Sequence, residues 1–538
     1  MRNATGFDRR TLGGFVRMAF IAGLLAGVGA STSRLHAVPG RDHAVASSAT
    51  SALVAAPPRI RCATAVRQWP AWSVGLAEYA TFFLSRDGRA YSLGGGNALG
   101  ELGLGAGASA AWLPVPMPFP ASTRIVQIAG GLHQSLALDA AGRVWGWGGF
   151  LLNGNPPGGG STDRTTPTRI ERDNLGHVFA DVAWVYAGST VNAAIKRDGT
   201  LWLWGDTTGG WLGDGSAGGW LEYPTQVALP SAVPVERFAQ GYTANALLAD
   251  GSVYTWGGAG GYQSRRDLGL AYANIDAVDY TRPQRVAFPA DAGTMFAMAA
   301  SGSGARIFMN RQGQLYGFGY HGELLGQGSG TANQAMNLAT PKRIDVDLGL
   351  PMPAIRIAAS STAFFAILSD GSLWGWGDAA QGEVGHGQEL DWAHAYGCVA
   401  SGTCGVSNPG GGGGPYKSSW GVGEMPVTRA VRLLPAASRI VEVYTGNSAA
   451  FYVYAIDADD RLYSWGRNKT GNLGNGVYPA TATQAANLPN SWDVPLASRV
   501  DPFALRTWRC TTSPFCVANP ADASCATQPA NGLCPLPP

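Results

Sequence analysis

Charged residues are scarce in this chain. Lys, Arg, Asp and Glu make up 14% of its 538 residues, the formal net charge is +2, and Lys and Arg form no dense run. A surface that follows a nucleic acid backbone needs many such cations close together, so the composition argues against a nucleic acid partner. With 46% hydrophobic residues and 18 Trp, the chain still has enough apolar material for a large core.

Patterns that carry metal or catalytic chemistry are also missing. The chain has seven Cys but no Cys-x-x-Cys pair, and its seven His include no His-Glu-x-x-His. A Gly run at 410–414 imitates a phosphate loop, but Pro415 removes a backbone donor and Tyr416 occupies the place of a required Gly. We therefore predict no metal, no cofactor and no catalytic residue.

Seven Cys residues fit an oxidising compartment. Because the number is odd, one thiol is left unpaired. Cys398 and Cys404 lie in one Gly-rich loop, which a bridge between them closes most simply. The tail contains four more, which form two local bridges or include one that reaches back to Cys62: Cys510, Cys516, Cys525 and Cys534. The sequence predicts disulfides here and leaves their pairing open.

The N-terminus has the pattern of an export signal. Four Arg residues at positions 2, 9, 10 and 17 lead into an apolar run at 18–30, which is short for a membrane span, and small residues near Ala30 and Ala37 allow cleavage. We predict a signal peptide at 1–37 and a flexible lead-in at 38–61. The mature protein is then secreted or periplasmic and free of the membrane. The sequence leaves open whether it is exported by the general secretory or the twin-arginine route. A retained membrane anchor is the alternative.

A short cassette recurs seven times along the chain. A turn of the Asp-Gly type leads into an apolar strand that ends in Gly, as in Asp198-Gly199-Thr-Leu-Trp202-Leu-Trp204-Gly205. The second residue of the turn marks the seven copies: Gly88, Gly142, Gly199, Gly251, Gly313, Gly371 and Asp460. Such a turn favours a two-residue hairpin, so each copy predicts the centre of a small antiparallel sheet.

These cassette strands are apolar on both faces, so each sheet needs a neighbour on either side. A closed ring of radial sheets satisfies this requirement. We predict an all-β fold, a seven-bladed β-propeller of four-stranded blades at 62–509, with an insertion at 388–424 and a Cys/Pro-rich tail at 510–538. Segments that contain Pro, such as Thr166-Pro167 and Tyr223-Pro224, are expected on the outer edges because Pro lacks the ladder donor.

The order of elements resembles the regulator of chromosome condensation repeat over roughly residues 70–500. The repeated order is Ile-x-x-Ile-Ala-x-Gly, an apolar strand, the Asp-Gly turn, Leu-Trp-x-Trp-Gly, a Leu-Gly loop and Pro-x-x-Val. The family's Gly-x-x-His-Ser pattern is approached only at Gly130 to Ser135, which includes His133. The resemblance implies a seven-bladed propeller. Exported relatives include a propeller-type β-lactamase inhibitory protein, so it also implies protein inhibition as one form of function.

Aromatic and polar residues in the irregular loops are the candidate ligand contacts, because rigid rings bind at modest entropic cost. They are Trp211, Trp220, Tyr262, Tyr320, His321, Trp392, Tyr396, Tyr416 and Trp420. We predict an exported, monomeric, non-catalytic propeller that binds a protein or a cell-surface polymer through these loops. The alternative is a polysaccharide lyase or hydrolase with its site at the axial opening, built from loop residues such as Asp206, Asp378, Glu383, His386 and His321.

Overall fold

The computed structural model describes residues 72–149, 163–189, 191–216, 218–241, 243–258, 268–270, 279–300, 304–319, 325–326, 338–378, 382–385, 426–446, 450–468, 470–474 and 494–500. All of them belong to one compact unit, Gln68–Pro538. The signal peptide, the lead-in, the insertion, the tail and all seven Cys lie outside the described residues, so those predictions stay predictions.

The described residues form seven four-stranded antiparallel sheets, each made of four consecutive strands. Blades 1 to 3 comprise β1 (Trp72–Leu76), β2 (Thr81–Ser85), β3 (Ala90–Gly94), β4 (Ala111–Pro116); β5 (Ile125–Gly130), β6 (Gln134–Asp139), β7 (Val144–Gly148), β8 (Arg164–Ile170); and β9 (Val182–Ala187), β10 (Val191–Lys196), β11 (Leu201–Asp206), β12 (Trp220–Gln226). Blades 4 and 5 comprise β13 (Val235–Gln240), β14 (Ala244–Leu248), β15 (Val253–Trp256), β16 (Gln284–Arg285); and β17 (Met295–Ala300), β18 (Ala305–Asn310), β19 (Leu315–Gly319), β20 (Leu338–Arg343).

Blades 6 and 7 comprise β21 (Ala354–Ala359), β22 (Ala363–Leu368), β23 (Leu373–Asp378), β24 (Pro426–Leu434); and β25 (Ile440–Thr445), β26 (Tyr452–Asp457), β27 (Leu462–Gly466), β28 (Val494–Val500). A single helical turn, α1 (Asp345–Leu348), and a 3₁₀ turn at Ala436–Ser438 lie in the links that precede blades 6 and 7. None of the described helices is long and apolar enough to cross a membrane.

The sheets form the predicted seven-bladed propeller. The first strand of each blade contacts the first strands of its neighbours at six of the seven junctions, including the junction of blade 7 with blade 1. The first strands therefore surround the axis, and the fourth strands form the rim. The rim strands β8, β12 and β20 contain Pro167, Pro224 and Pro341, which confirms the outer position predicted for the Pro-containing segments.

The strand order gives the ring two different faces. We call the face that carries the second-to-third-strand hairpins and the links between blades the turn face. The opposite face, which we call the loop face, carries the first-to-second-strand turns and the connections from third to fourth strands. Those connections span residues 95–110, 149–163, 207–219, 257–283, 320–337, 379–425 and 467–493. Long connections therefore leave from one face and short hairpins from the other.

Backbone hydrogen bonds tie adjacent blades together on the turn face. In each tie, the second residue of a cassette turn offers its carbonyl oxygen to the first N–H of the next blade. The ties are Ile125 N–H to Gly88 (3.1 Å), Val182 to Gly142 (3.0 Å), Val235 to Gly199 (2.9 Å), Ala354 to Gly313 (3.0 Å) and Ile440 to Gly371 (3.0 Å). The cassette turn thus closes a hairpin and also anchors the following blade, which explains why it recurs with so little variation.

Replacing Gly313 with Ala should destabilise the propeller more than replacing Gly176 with Ala. Both glycines have positive φ, 76° and 82°, so both substitutions carry a strain of about 1 kcal/mol. A Cβ on Gly313 would lie 2.5 Å from the Ala354 carbonyl oxygen, whereas a Cβ on Gly176 meets no atom within 4 Å. Loss of the tie adds about 1–3 kcal/mol at Gly313 alone. Equal free energies of unfolding in urea for the two variants would contradict the anchoring role.

Asp139 stabilises the hairpin between β6 and β7 in blade 2 as a buried carboxylate. Its side chain is 1% exposed and accepts hydrogen bonds from the Ala141 and Arg143 N–H groups, Arg143 Nε and Trp145 Nε1. Burial alone would raise the pKa of this carboxyl, but the bonds from Arg143 and Trp145 outweigh it, and the pKa lies below its usual range.

The lowered pKa makes the stability contribution of Asp139 dependent on pH. A carboxyl with a depressed folded-state pKa stabilises the fold above its unfolded value of about 4, and this stabilisation disappears as the pH falls through the folded value. We expect the urea midpoint of the wild type to fall on acidification by more than that of Asp139→Asn, which starts lower. Parallel pH profiles of the two proteins would refute this assignment.

Latches join adjacent blades on the loop face as well. In each latch, the indole N–H of the Trp just before the cassette's final Gly donates to a backbone carbonyl in the Leu-Gly loop of the preceding blade. The bonds are Trp147 Nε1 to Glu101 (3.1 Å), Trp256 Nε1 to Trp211 (2.8 Å) and Trp465 Nε1 to Glu383 (2.9 Å). The indole of Trp465 packs directly on Gly385: a Cβ at this position would lie 2.5 Å from Trp465 Nε1, which is too close. The Gly of this loop is therefore needed to make room for the ring.

The seam between blades 7 and 1 closes through side chains, since each of these blades is complete in itself. The buried Tyr452 hydroxyl of blade 7 lies 2.8 Å from the Ala77 carbonyl oxygen, 2.9 Å from that of Ala80 and 3.0 Å from Thr81 Oγ1. Thr81 in turn donates to the Asn472 carbonyl oxygen at 2.8 Å. One apolar cluster spans both blades and includes Val74, Leu76, Phe83, Tyr454 and Ile456.

Candidate binding face

Two of the predicted contact residues, Trp211 and Trp220, are among the described residues, and both belong to blade 3. The other seven lie outside the described residues: Tyr262, Tyr320, His321, Trp392, Tyr396, Tyr416 and Trp420. The six Cys residues predicted to form disulfides lie outside as well. Their roles therefore stay predictions from the sequence.

Trp211 and Trp220 differ in their surroundings. Trp211 is half-buried, its ring packs on the backbone of Gly257, and its carbonyl oxygen accepts the Trp256 latch. Trp220 begins the rim strand β12, pairs with Asp206 and is 56% exposed. Trp220 thus presents an exposed ring, whereas Trp211 helps to hold blades 3 and 4 together.

A cluster of polar side chains that sequence reasoning missed lies on the loop face where blades 7, 1 and 2 meet. We define this seam cluster as Glu78, Tyr79, Glu101, His133 and Arg467. The ring of Tyr79 stacks on that of His133, with centroids 5.4 Å apart and planes 17° apart. His133 Nδ1 lies 3.2 Å from Glu101 Oε1. The only sequence signal was His133 itself, in the one near copy of the Gly-x-x-His-Ser pattern.

Glu78 is the perturbed acid of this cluster. Burial raises the pKa of its carboxyl and nearby Glu101 adds to the rise, while a hydrogen bond from Tyr79 and the charges of Arg467 and His133 oppose it. Burial and the neighbouring Glu78 also raise the pKa of the Tyr79 hydroxyl. Perturbed groups of this kind are enriched at functional sites, so the seam cluster is a second candidate contact region beside Trp220.

Two of the carboxylates considered for the enzyme alternative make hydrogen bonds within the fold. Glu383 is 1% exposed, and its Oε1 accepts the Thr362 hydroxyl at 2.8 Å. Asp206 accepts the Thr208 N–H at 2.9 Å, which shapes the turn after β11. Within the described part of the chain, no three His, Asp or Glu residues are placed to share a metal ion.

Most large apolar side chains that are well exposed lie on the turn face. Among the described residues these are Val115, Val126, Leu175, Val178, Val346 and Met352, and Trp220 is the exception on the loop face. They are distributed over blades 1 and 2 and over the links that precede blades 3 and 6. Apolar residues exposed singly are ordinary on soluble proteins, so these positions do not define a contiguous patch.

Comparisons with known proteins agree with the repeat pattern. Residues 87–138 match the regulator of chromosome condensation (RCC1) repeat. The chain is 26% identical over 328 residues to the human E3 ubiquitin-protein ligase HERC2, a match that covers 55% of this chain and 6% of HERC2. It is 28% identical over 266 residues to the mitochondrial RCC1 domain-containing protein RUG3 of Arabidopsis thaliana, covering 48% of this chain and 54% of RUG3. The chain thus spans a small part of HERC2 and about half of RUG3.

A solved structure shares the fold. Yeast RCC1 (Prp20), crystallised bound to Kap60, superposes with a TM-score of 0.55 at 20% identity, covering 80% of this chain and 88% of that chain. At this level of identity, the likeness concerns the fold alone.

Proposed function

Because this chain is a seven-bladed propeller built from RCC1 repeats, we propose that it is an exported, non-catalytic binding protein that engages a protein partner through its loop face. The observation that carries the proposal is the asymmetry between the faces: every long third-to-fourth-strand connection leaves from the loop face. Surface loops on a rigid scaffold are the usual place for binding residues. The exposed Trp220 and the seam cluster lie on that same face.

The relatives support a protein as the partner. Yeast RCC1, which shares the fold, was crystallised bound to another protein, Kap60. A cell-surface polymer is the other partner that the loop aromatics would suit, but the described loop-face residues include one well-exposed large ring, Trp220, and no row of them. Recognition of a protein does not require a row of aromatic rings, because one or a few aromatic anchors carry most of the binding energy of an interface.

Affinity capture tests the proposal. The full mature chain, tagged at its C-terminus, would be used to capture partners from the producing cell's periplasm and culture fluid. We expect a specific protein that Trp220→Ser releases and that Leu175→Ser, which changes a still more exposed apolar residue on the turn face, retains. Release by Leu175→Ser alone would place the contact on the other face, and capture of polysaccharide alone would replace the proposed partner.

Export has its own test. Four Arg residues and the apolar run at 18–30 support it. Mass spectrometry of the protein from the producing cell should find a mature N-terminus after residue 30 or residue 37, outside the cytoplasm. An intact Met1 on cytoplasmic protein would contradict export and leave the binding proposal standing.

A further inference from the structure

Blades 4 and 5 face each other across buried polar side chains. Asn245 of β14 and Thr255 of β15 lie opposite each other in the ladder of these two strands, and both are 0% exposed. Leu247 lies two residues after Asn245, on the same face of β14, and packs in one apolar cluster with Phe308 of blade 5. Asn245 and Thr255, which we call the polar pair, therefore lie on the side of blade 4 that faces blade 5.

The position of Asn245 is apolar or aromatic in every other blade. It lies six positions before the second residue of the cassette turn, and the corresponding residues are Phe82, Leu136, Ala193, Ile307, Phe365 and Tyr454. Among these six, Tyr454 alone has a polar side-chain atom, and its hydroxyl donates to the Asn472 carbonyl oxygen at 2.9 Å. Blade 4 thus departs from the repeat at a core position, which is costly unless the polar atoms find partners.

The oxygen atoms of the polar pair have no hydrogen-bond partner in the part of the chain that the structure describes. Asn245 Nδ2 donates to the Thr243 carbonyl oxygen at 3.1 Å, which fixes the orientation of the amide and directs its Oδ1 elsewhere. Asn245 Oδ1 and Thr255 Oγ1 are both shielded from solvent and unpartnered among these residues. Since buried polar atoms in native proteins are satisfied, a small ligand is expected at these two oxygens.

Arg306 lies on the opposite side of this junction. It is 0% exposed and comes two residues before Phe308 on β18. Its guanidinium donates to the carbonyl oxygen of Gly304 in its own blade and, at 3.5 Å, to that of Thr243 in blade 4. The Thr243 carbonyl oxygen therefore receives hydrogen bonds from both Asn245 and Arg306, which places Asn245 beside a buried positive charge.

The chemistry of these groups selects water as the ligand. Asn245 Oδ1 is only an acceptor, so its partner must donate, and an anion such as chloride has no proton to donate. A metal cation would lie against the charge of Arg306, which repels it. Both oxygens are shielded from solvent, which favours the smallest ligand. One water molecule donates to Asn245 Oδ1 and to Thr255 Oγ1 at once.

Among its described residues, the junction of blades 4 and 5 also lacks the two devices that join other blades. Blade 5 has Phe318 at the position of the latch tryptophans, so it has no indole N–H to donate to blade 4. No backbone hydrogen bond joins Met295, the first residue of blade 5, to Gly251 in the turn of blade 4, whereas the corresponding tie exists at five other junctions. A bridging ligand has a structural role at this junction.

We propose that at least one ordered water molecule is bound between blades 4 and 5, where it donates to Asn245 Oδ1 and Thr255 Oγ1 and lies against Arg306. This water satisfies the buried amide and hydroxyl and takes the place of the latch and the tie. The site is a property of the propeller itself, so it does not depend on the proposed partner.

A crystal structure of the intact wild-type protein tests the site directly. We expect a water molecule about 2.7–3.2 Å from both Asn245 Oδ1 and Thr255 Oγ1. Crystals grown with bromide in place of chloride distinguish water from an anion, because bromide gives an anomalous signal. An anomalous peak beside Asn245, or the absence of any molecule within reach of the two oxygens, would overturn the proposal.

Oxygen-17 relaxation dispersion of the solvent counts long-lived internal water molecules in solution. The double variant Asn245→Leu/Thr255→Val should hold at least one fewer than wild type, because the pair then has no polar side-chain atom. Ser464→Ala is the matched control: Ser464 has the position of Thr255 in blade 7, and its hydroxyl donates to the Leu473 carbonyl oxygen at 3.0 Å. Its count should equal that of wild type.

An unchanged count in the double variant, or the same fall in Ser464→Ala, would overturn the proposal. Circular dichroism and thermal unfolding confirm that each variant is folded before the counts are compared. The crystal structure needs no variant, so it decides the question even where the double variant fails to fold.

Discussion

Trp465→Ala should cost about 3–5 kcal/mol of unfolding free energy, the usual loss for removing a fully buried indole. Trp465 is 0% exposed, packs edge-on against Phe365 with centroids 5.9 Å apart, and latches the Glu383 carbonyl oxygen through its Nε1. Its loss therefore removes both core volume and the tie between blades 6 and 7. Equilibrium unfolding in urea, followed by Trp fluorescence and circular dichroism, measures the change.

Trp465→Phe keeps an aromatic ring at the core position and removes the rest of the indole together with its N–H. We expect a loss of about 1–3 kcal/mol for the missing hydrogen bond to the Glu383 carbonyl oxygen, in addition to the cost of the smaller ring. Trp220→Ala is the matched control, since Trp220 is 56% exposed and should change stability by less than about 0.5 kcal/mol. If Trp465→Phe were as stable as wild type, the latch would have no energetic role.

Tyr452→Phe should open the ring at its seam. The substitution removes the single hydroxyl that lies within 3.0 Å of the Ala77 and Ala80 carbonyl oxygens and of Thr81 Oγ1. The hydroxyl has one proton to donate and the Ala80 carbonyl keeps the Ala77 N–H as a donor, so the loss is one buried hydrogen bond, at a cost of about 1–3 kcal/mol. Because blades 1 and 7 share no strand, this contact has no backbone ladder behind it. We therefore expect the seam between blades 7 and 1 to open locally before the whole protein unfolds.

Hydrogen exchange distinguishes a local opening from a uniform destabilisation. We expect faster exchange in β1, β2 and β26 of Tyr452→Phe and unchanged exchange in the blades opposite the seam. Tyr223→Phe is the control, since no described residue hydrogen-bonds the hydroxyl of this half-buried rim tyrosine. A uniform increase in exchange around the ring would show that closure does not depend on Tyr452.

The repeat cassette predicted most of the fold because its signals are local. The Asp-Gly turn, the apolar strands and the Pro of the rim each act within a few residues, and the structure confirms seven blades and rim positions for Pro167, Pro224 and Pro341. The seventh turn is also where the sequence placed it, with Asp460 at a φ of 62° in the slot that Gly occupies elsewhere.

Contacts between blades could not be predicted in the same way. The cassette tryptophans Trp147, Trp256 and Trp465 are fully buried, but the hydrogen bonds of their indole N–H groups join residues 46, 45 and 82 positions apart. Tyr452 and Thr81 are separated by 371 positions. No periodicity within a repeat indicates which atom of the neighbouring blade it meets.

The candidate site shows the same limit. Aromatic residues were selected by their type alone, and of the two that the structure describes only Trp220 is well exposed, so its role in binding stays a prediction. Glu78 and Arg467 lie in different blades, at opposite ends of the chain's propeller, and become a site only when the ring closes. A motif search cannot find this cluster, because the contact between blades 1 and 7 depends on the fold as a whole.

Hydrogen exchange of the wild-type protein with and without its captured partner tests the central claim most directly. If the partner binds the loop face, protection should appear at residues 77–80, 131–133 and 207–216 and be absent from the turn-face hairpins and from the link at 171–181. Protection confined to that link and to the hairpins, with the loop face unchanged, would contradict the claim.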